Sequence, residues 1–310
     1  MPIRDEAVVM TIVCAVDRGY LRHCAAMLHS LRESNPDEEL TVFVVHDTLD
    51  PEEKARFIAY TSAFLPSISL LQADASRLEG FPVSGHGSLA AYFRLLLPDL
   101  LPAGVSRFLF IDSDAVVVDS LRPLWEQPLE GHALAAVPEH QLSCADHGYV
   151  FGEYFNSGMM LVDLEQWRRS DLLETGRAFA RANPHRLRHW DQDVLNHLFA
   201  GAWLAMPERW NACPHLFGLN AFYDMSRDKL TAAQRESIDH PAIIHFAGPG
   251  PVKPWHYRCE HPWRDTYRRH IADTPWAKVP LQDQPPPWPI RAWREGLFQV
   301  KCKLKSLLGS

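Results

Sequence analysis

The sequence predicts an α/β protein whose doubly wound, mostly parallel sheet is flanked by helices. Over about the first 120 residues, β-branched apolar runs alternate with segments whose apolar residues recur at helical spacing. The apolar run 108–111 then ends abruptly in Asp112-Ser113-Asp114, and open α/β sheets bind ligands at the carboxyl ends of such strands. A chain of 310 residues with 46% hydrophobic content is large enough for a sizeable core.

The first half of the chain carries the regular strand and helix pattern. Strands are predicted over residues 8–16, 40–46, 67–72 and 108–111. Helices are predicted between them over 20–34, from 50 toward 64, and over 88–97, where Pro98 should end the helix. The second helix has a clear start, because Asp50 is a good cap and Pro51 suits the first helical position.

After Asp119 the pattern becomes irregular. Strands are predicted over 133–137, 158–164, 203–206 and 242–246, and helices over 170–183 and 191–199. Residues 1–274 are therefore expected to form one domain, followed by a proline-rich linker over 275–289.

The last residues, 290–310, are predicted to form a basic amphipathic tail with one apolar stripe. From Trp288 onward there are five cations against the single acid Glu295. Two interpretations stay open: a helix lying in an anionic membrane interface, or a terminal helix docked on its own domain.

Composition excludes several classes of protein. A net charge of -7 and a pI near 6.1 argue against a nucleic-acid partner. Six cysteines without a C-x-x-C pair favour reduced thiols in a cytosol over a zinc ribbon or a disulfide scaffold. The acidic start is unlike a signal peptide, and the apolar run 7–16 is about half the length of a spanning helix, so we expect no transmembrane segment.

Asp112 and Asp114 are the first candidates for chemistry. On an extended chain their carboxylates leave on the same side, with Ser113 opposite, and two such anions need a cation or a shared proton between them. No G-x-G-x-x-G and no Walker lysine is present, so a bound nucleotide would need a metal on this pair. Carboxylate oxygens with an imidazole suit Mn²⁺, with Mg²⁺ as the alternative. A turn cap or a phosphatase nucleophile would also explain the pair.

Further polar groups stand at predicted strand ends and turns, each with a structural explanation beside the functional one. Asn156-Ser157-Gly158 reads as a polar turn entering a strand. Asp191-Gln192-Asp193 opens a helix, where the dipole favours acids. His245 ends a strand, as structural histidines often do, and Lys253 stands in a stiff Gly/Pro loop as a phosphate contact or as a solvated surface lysine.

Six motifs in sequence order together resemble glycosyltransferase family 8, in particular the bacterial galactosyl- and glucosyltransferases that extend lipopolysaccharide. The resemblance runs from about Val8 to Trp263. The motifs are I-V-C-A-V-D-R-G-Y, A-Y-F-R-L-L-L, F-L-F-I-D-S-D, F-N-S-G, W-D-Q-D-V-L-N and H-F-A-G-P-G-P-V-K-P-W. The resemblance implies a GT-A fold, with one catalytic domain and a small C-terminal extension.

The resemblance also implies a role for each matching residue. Mn²⁺, held by Asp112, Asp114 and His245, would bind the diphosphate of a UDP-sugar. Ala15, Asp17 and Tyr20 would contact the nucleotide, Gly248 and Lys253 the diphosphate, and Glu139 the acceptor. The residues that would surround the donor are Arg94, Asp112, Ser113, Asn156, Ser157, Asp191 and Gln192. This chain departs from its relatives at Gly19, where asparagine is common, at Glu139, where aspartate is usual, and in a longer loop before Lys253.

The implied reaction is retaining transfer of galactose or glucose from the UDP-sugar to a sugar hydroxyl. Retaining glycosidases use a carboxylate nucleophile, but the matching position here is the weak amide Gln192, with Asp191 and Asp193 beside it. We therefore expect front-face substitution, with Asp193 as the alternative nucleophile.

The implied acceptor is a lipid-linked saccharide such as lipooligosaccharide core. The implied location is the cytoplasm, with contact to the inner face of the cytoplasmic membrane through the tail. Two other functions stay open: a haloacid-dehalogenase-like phosphatase, which F-L-F-I-D-S-D also resembles, and a non-catalytic UDP-sugar-binding protein.

Overall fold

The computed structural model describes residues 9–83, 88–139, 152–219 and 230–285. The predicted tail over 290–310, the end of the proline-rich segment and most of the histidine-rich stretch that follows Glu139 lie outside the described residues.

Seven strands form one sheet in the order β3-β2-β1-β4-β7-β6-β8, and two short strands form a second sheet, β5-β9. The strands are β1 Val9–Val16, β2 Glu39–His46, β3 Ser67–Gln72, β4 Arg107–Ile111, β5 Ala115–Val117, β6 Leu134–Pro138, β7 Phe155–Asp163, β8 Trp203–Ala205 and β9 Ile243–His245. Strands β1 to β4 are mutually parallel, which confirms the sheet predicted for the first 120 residues. Strand β7 runs antiparallel to both of its neighbours, so the sheet is mixed beyond β4.

Helices cover both faces of the larger sheet. The α-helices in the described ranges are α1 Leu21–Ser34, α2 Pro51–Thr61, α3 Leu97–Leu100, α4 Arg122–Trp125, α5 Leu164–Arg169, α6 Leu172–Ala182, α7 Asp191–Leu198, α8 Ala232–Asp239 and α9 Arg264–Ala272. Alternate residues of β1 point into two different apolar clusters: Ile12 and Cys14 face the cluster that contains α1, and Val13 faces the one that contains α6 and α7. This alternation is what a buried parallel strand produces.

Two local predictions need correction, and one strand was not predicted. Residues 89–96 form a 3₁₀ helix, and Pro98 lies in the first turn of α3, where a missing N–H has no partner to lose. Asn156 and Ser157 belong to strand β7, because Phe155 and Asn156 pair with Pro138 and Val137 of β6. Strand β5 was not foreseen, although it pairs in register with β9.

The described part of the proline-rich segment packs on the body of the protein. Trp276 is 5% exposed and belongs to the cluster around α1, and its indole N–H donates to Glu53 at 2.6 Å. Gln282 exchanges backbone hydrogen bonds with Trp255 and Tyr257, both at 2.8 Å. The domain boundary at residue 274 stays a prediction.

Within the described ranges, no helix combines the length and the apolar character needed to cross a bilayer. The four cysteines in these ranges, Cys14, Cys24, Cys213 and Cys259, are all free and buried.

Buried His261 predicts a pH-dependent stability. Its ring packs edge-on to Phe217 and Phe246, and burial lowers its pKa to about 4. Between pH 4 and the unfolded pKa of 6.5, the unfolded chain binds more protons at this residue than the folded protein does. The contribution of His261 to the free energy of unfolding is therefore fully present above pH 6.5 and is lost as the pH falls toward 4. In urea unfolding, His261→Phe should reduce the slope of unfolding free energy against pH by up to ~1.4 kcal/mol per pH unit.

The control for this measurement is His185→Gln, because His185 is exposed. An unchanged slope in a folded His261→Phe variant would contradict the prediction.

Candidate active site

Asp112 and Asp114, the acidic pair, lie in the turn that joins β4 of the large sheet to β5 of the small one. Strand β4 ends at Ile111, so a turn, and not strand alternation, brings the two carboxylates together. His245 Nε2 lies 3.3 Å from Asp114 Oδ1 and 3.8 Å from Asp112 Oδ2. The three residues therefore offer ligand atoms that all lie within 4.8 Å of one another.

Pairing of β5 with β9 positions His245 beside the acids. Ala115, the residue after Asp114, pairs with His245, and the N–H of Phe246 donates to the carbonyl of Asp114 at 2.9 Å. Gly158 of β7 leaves room for the imidazole: a Cβ at this position would lie 2.6 Å from His245 Nδ1.

Lys253 is buried against this cluster and is not a solvated surface lysine. It is 7% exposed, follows the 3₁₀ turn Gly250–Val252, and contacts Asp114 Oδ2 through its ammonium. Burial acts to raise the pKa of Asp114, but Lys253 and His245 outweigh it and hold that pKa well below its usual value. Asp114 is therefore ionised in a site that already contains positive charge.

Arg94 links the acidic pair to the start of α7. Its guanidinium donates to Asp112 Oδ1 at 3.0 Å, forms an ion pair with Asp191 Oδ2 at 3.0 Å, and donates to the Ser157 carbonyl at 2.7 Å. Burial raises the pKa of Asp112 despite this cation, and it raises the pKa of Asp191 to about 6. The site is thus a desolvated network in which Asp112, Asp114 and Asp191 each contact a cation.

The segment Asp191-Gln192-Asp193 opens α7, as predicted; its first two residues bind Ser157 and its third binds Tyr154. Gln192 Oε1 accepts from the Ser157 N–H at 3.0 Å, and Asp191 accepts from the Ser157 hydroxyl at 3.1 Å. Asp193 is 1% exposed and accepts from the Tyr154 hydroxyl at 2.8 Å. The preceding residue, Trp190, has a φ of 48°, an unfavourable conformation for a residue with a bulky side chain.

A buried hydrogen-bond chain runs from Glu139 to the far side of His245. Asn156 donates its amide to Glu139 Oε2 at 2.8 Å, and Asn211 donates to Asn156 Oδ1 at 2.8 Å. Asn211 Oδ1, 2.9 Å from His245 Nδ1, then accepts the proton of that nitrogen. Because a carboxylate only accepts, this chain orients every amide and directs Nε2 of His245 to the acidic pair.

Two residues of this network were missed from the sequence. Asn211 is the last residue of a 3₁₀ turn in a segment without a motif, so only its position in the fold reveals it. Asn196, the last letter of W-D-Q-D-V-L-N, holds α7 on β7 by accepting from the Phe155 N–H and donating to its carbonyl, both at 2.8 Å. The motif itself was a signal that could have identified Asn196.

The predicted nucleotide contacts lie around the end of β1. Ser113 donates its hydroxyl to the Ala15 carbonyl at 3.3 Å, which links the acidic turn to β1. Asp17 accepts from the N–H groups of Gly19 and Tyr20 at 2.8 and 3.0 Å and so holds the turn into α1. The Tyr20 ring centroid lies 6.0 Å from the Lys253 ammonium. Gly248, by contrast, is exposed, at a φ of 98°. The roles of all these residues stay predictions.

The chemistry of the site fits a hard divalent cation. Asp112 and Asp114 offer oxygens, and His245 offers a nitrogen whose lone pair the Asn211 contact directs inward. Lys253 contacts Oδ2 of Asp114, so Oδ1, on the His245 side, is the oxygen left for a metal. Two carboxylates and one imidazole suit Mn²⁺ or Mg²⁺, which would still accept oxygens from a diphosphate.

Comparison with known proteins identifies the family. The model of glycosyl transferase family 8 matches residues 11–259. The chain belongs to glycosyltransferase family 8. It is 31% identical over 289 residues to general stress protein A of Bacillus subtilis strain 168, covering 89% of this chain and 97% of that protein. It is 24% identical over 309 residues to the lipopolysaccharide 1,3-galactosyltransferase of Salmonella typhimurium, covering 96% and 88%.

Solved structures agree with this assignment. The galactosyltransferase LgtC, crystallised with donor and acceptor sugar analogs, superposes with a TM-score of 0.75 at 27% identity, over 90% of this chain and 99% of that one. The family-8 resemblance and the GT-A fold predicted from the sequence are both confirmed. The haloacid-dehalogenase-like phosphatase is set aside, because the family match covers the acidic pair and most of the chain.

Gly158→Ala tests the packing of His245. The added methyl group should displace the imidazole. A Mn²⁺ ion held by Asp112, Asp114 and His245 would then bind about 10–100-fold more weakly, the range for disturbing the groups that orient a metal ligand. Mn²⁺ affinity, measured by titration of the folded variant, checks this.

Gly104→Ala is the matched control, because its added methyl would meet no atom within 4 Å. Wild-type Mn²⁺ affinity in a folded Gly158→Ala variant would show that His245 is not held as described.

Proposed function

We propose that this family-8 protein is a retaining, Mn²⁺-dependent hexosyltransferase that moves galactose or glucose from a UDP-sugar to a saccharide hydroxyl. One observation carries the proposal: Asp112, Asp114 and His245 lie together, and the ammonium of Lys253 contacts Asp114. Beside them, Arg94 forms an ion pair with Asp191 at the start of α7. Such a site can neutralise a diphosphate leaving group and hold a sugar beside it.

The leaving group requires positive charge. Bound between Asp112, Asp114 and His245, Mn²⁺, or Mg²⁺ in its place, would supply that charge to the UDP diphosphate. Lys253 contributes a second, preorganised cation at the same carboxylate, since it lies buried on Asp114. Because Lys253 acts in a desolvated site, it stabilises the departing phosphate more than it would in water.

The residues at the start of α7 favour front-face substitution. Gln192 is an amide, and its oxygen is held by the Ser157 N–H at 3.0 Å, so it suits stabilisation of an oxocarbenium-like centre better than attack on it. Asp193 is a poor nucleophile, because it is 1% exposed and accepts hydrogen bonds from Tyr154 and from the His189 N–H. In this mechanism the departing phosphate takes the proton of the acceptor hydroxyl.

The acceptor we propose is a sugar hydroxyl of a lipopolysaccharide-type glycan. Relatives aligned over 86–96% of this chain are a lipopolysaccharide 1,3-galactosyltransferase of Salmonella typhimurium and a lipopolysaccharide 1,2-glucosyltransferase of Escherichia coli K12. Glu139, which joins the donor side of the site through Asn156, is proposed as an acceptor contact. Reaction in the cytoplasm, with the basic tail on the inner membrane face, is part of the same proposal.

A donor screen tests the function. UDP release with Mn²⁺ should be fastest with UDP-galactose or UDP-glucose and should rise when a galactose- or glucose-terminated oligosaccharide is added. Asp112→Asn or excess chelator should lower the rate about a thousandfold or more, because several kcal/mol of charge stabilisation are lost.

Asp265→Asn, on the exposed face of α9, is the control for loss of a carboxylate. Binding of UDP without turnover of any donor would favour the non-catalytic alternative, and a wild-type rate in excess chelator would remove the metal from the proposal.

Gln192→Ala tests the mechanism. If Gln192 only stabilises charge, the variant should keep transfer at about 10²–10³-fold lower kcat, as for loss of one preorganised dipole. No glycosylated enzyme should appear in intact-protein mass spectra of the wild type during turnover. Complete loss of transfer with donor binding intact, or a covalent adduct on residue 192 or 193, would argue for a nucleophile. Exposed Gln284→Ala is the control.

A further inference from the structure

A second cluster of metal-ligating side chains lies where α1 packs on α9. His29 and Glu33 stand one turn apart on α1, and His270, which is 1% exposed, projects from α9. His29 Nδ1 lies 3.1 Å from His270 Nδ1, and His270 Nδ1 lies 3.8 Å from Glu33 Oε2. All three ligand atoms lie within 4.8 Å of one another, and no residue is shared with the Asp112–Asp114–His245 site.

These distances match a single small ion. Metal–nitrogen bonds of about 2.0–2.1 Å at tetrahedral angles separate two ligand atoms by about 3.3 Å. The separations of 3.1 and 3.8 Å lie on either side of that value. Two imidazoles with one carboxylate select a borderline-soft cation, in contrast to the oxygen-rich acidic pair.

We propose that His29, Glu33 and His270 bind one divalent cation of the Zn²⁺ class and join α1 to α9 through it. Three protein ligands leave a fourth position for water, and the Glu33 side chain, 48% exposed, keeps the ion accessible from solvent. Rings of Tyr60 and Phe64 lie against His29, at centroid distances of 6.3 and 5.6 Å, and restrict its orientation. The ion would stabilise the packing of the two helices, and it is independent of the proposed glycosyl transfer.

Arg269 competes with this ion. Its Nη2 lies 3.1 Å from His270 Nε2, and because a guanidinium only donates, this contact puts the His270 proton on Nδ1, facing His29. The ion takes the place of that proton, which moves to Nε2, and Arg269 gives up this contact. Arg269 Nη1 also donates to Glu33, at 2.7 Å to Oε1 and at 3.0 Å to the ligand atom Oε2. The ion would displace the bond to Oε2. Arg269 can keep the bond to Oε1 or swing away, because its side chain is 55% exposed.

The test uses Co²⁺ as a spectroscopic probe in an Asp112→Asn/Asp114→Asn background, which removes the first acidic site. One equivalent of Co²⁺ should bind and give the intense visible absorption of a four-coordinate ion, and one equivalent of Zn²⁺ should displace it and raise Tm. His29→Gln and Glu33→Gln should each weaken binding at least about tenfold. Arg269→Gln should tighten it, since a competitor is lost.

His185→Gln, at an exposed position, is the control for loss of an imidazole. The absence of a bound equivalent in the background protein would overturn the proposal, as would unchanged affinity in folded His29→Gln. Weakening by Arg269→Gln as large as that by Glu33→Gln would show a hydrogen-bonded ion-pair network instead of a metal site. None of these measurements uses sugar transfer, so failure of the proposed function would leave them unaffected.

Discussion

The short antiparallel pairing of β5 with β9 is the constraint on which the rest of the site depends. It places His245 opposite Ala115, directly after the acidic turn, and the Phe246 N–H on the Asp114 carbonyl fixes the register. A register change of one residue would turn His245 to the opposite face, since side chains alternate along a strand. Gly158 completes the arrangement, because any larger side chain there would occupy the space of the imidazole.

Polar groups around the site satisfy one another in place of water. Hydrogen bonds through Asn156 and Asn211 link Glu139 to His245. Arg94 bonds to Asp112, Asp191 and the Ser157 carbonyl. These bonds restrict the orientation of each side chain in the site. Loss of one member leaves its neighbour buried and unpaired, which costs about 1–3 kcal/mol. The network therefore sets the orientation of the ligands before any substrate arrives, which is the preorganisation that charge stabilisation requires.

Charge balance in the site is local although the chain as a whole is acidic. Asp112 and Asp114 repel each other, but Arg94 on one and Lys253 on the other supply a counter-charge to each. The opposite directions of their pKa shifts reflect this division: burial dominates at Asp112, and Lys253 and His245 dominate at Asp114. This division of charge suits the proposed ligand, a sugar nucleotide bound together with a divalent metal.

Local pattern was enough to predict strands β1 to β4 and helices α1 and α2. Strand β3 and the capped start of α2 at Asp50 lie where apolar periodicity and capping residues place them, because these signals are read within one element. The exceptions are segments whose conformation is decided by neighbours. The 3₁₀ form of 89–96 and the strand pairing of Asn156 depend on partners distant in sequence, which no local window contains.

The active site likewise divides into features that local sequence indicates and features that depend on contacts between distant elements. From sequence alone, the types of residue that could bind a metal and a diphosphate were evident. Asp112, Asp114 and His245 stand in motifs at the ends of predicted strands, and Lys253 stands in a motif that forms a Gly/Pro loop. Tertiary structure alone decided that Lys253 is buried on Asp114, that Asn211 orients His245, and that His29 and Glu33 meet His270. These contacts join residues 34 to 241 positions apart, and only the packing of whole elements determines such distances.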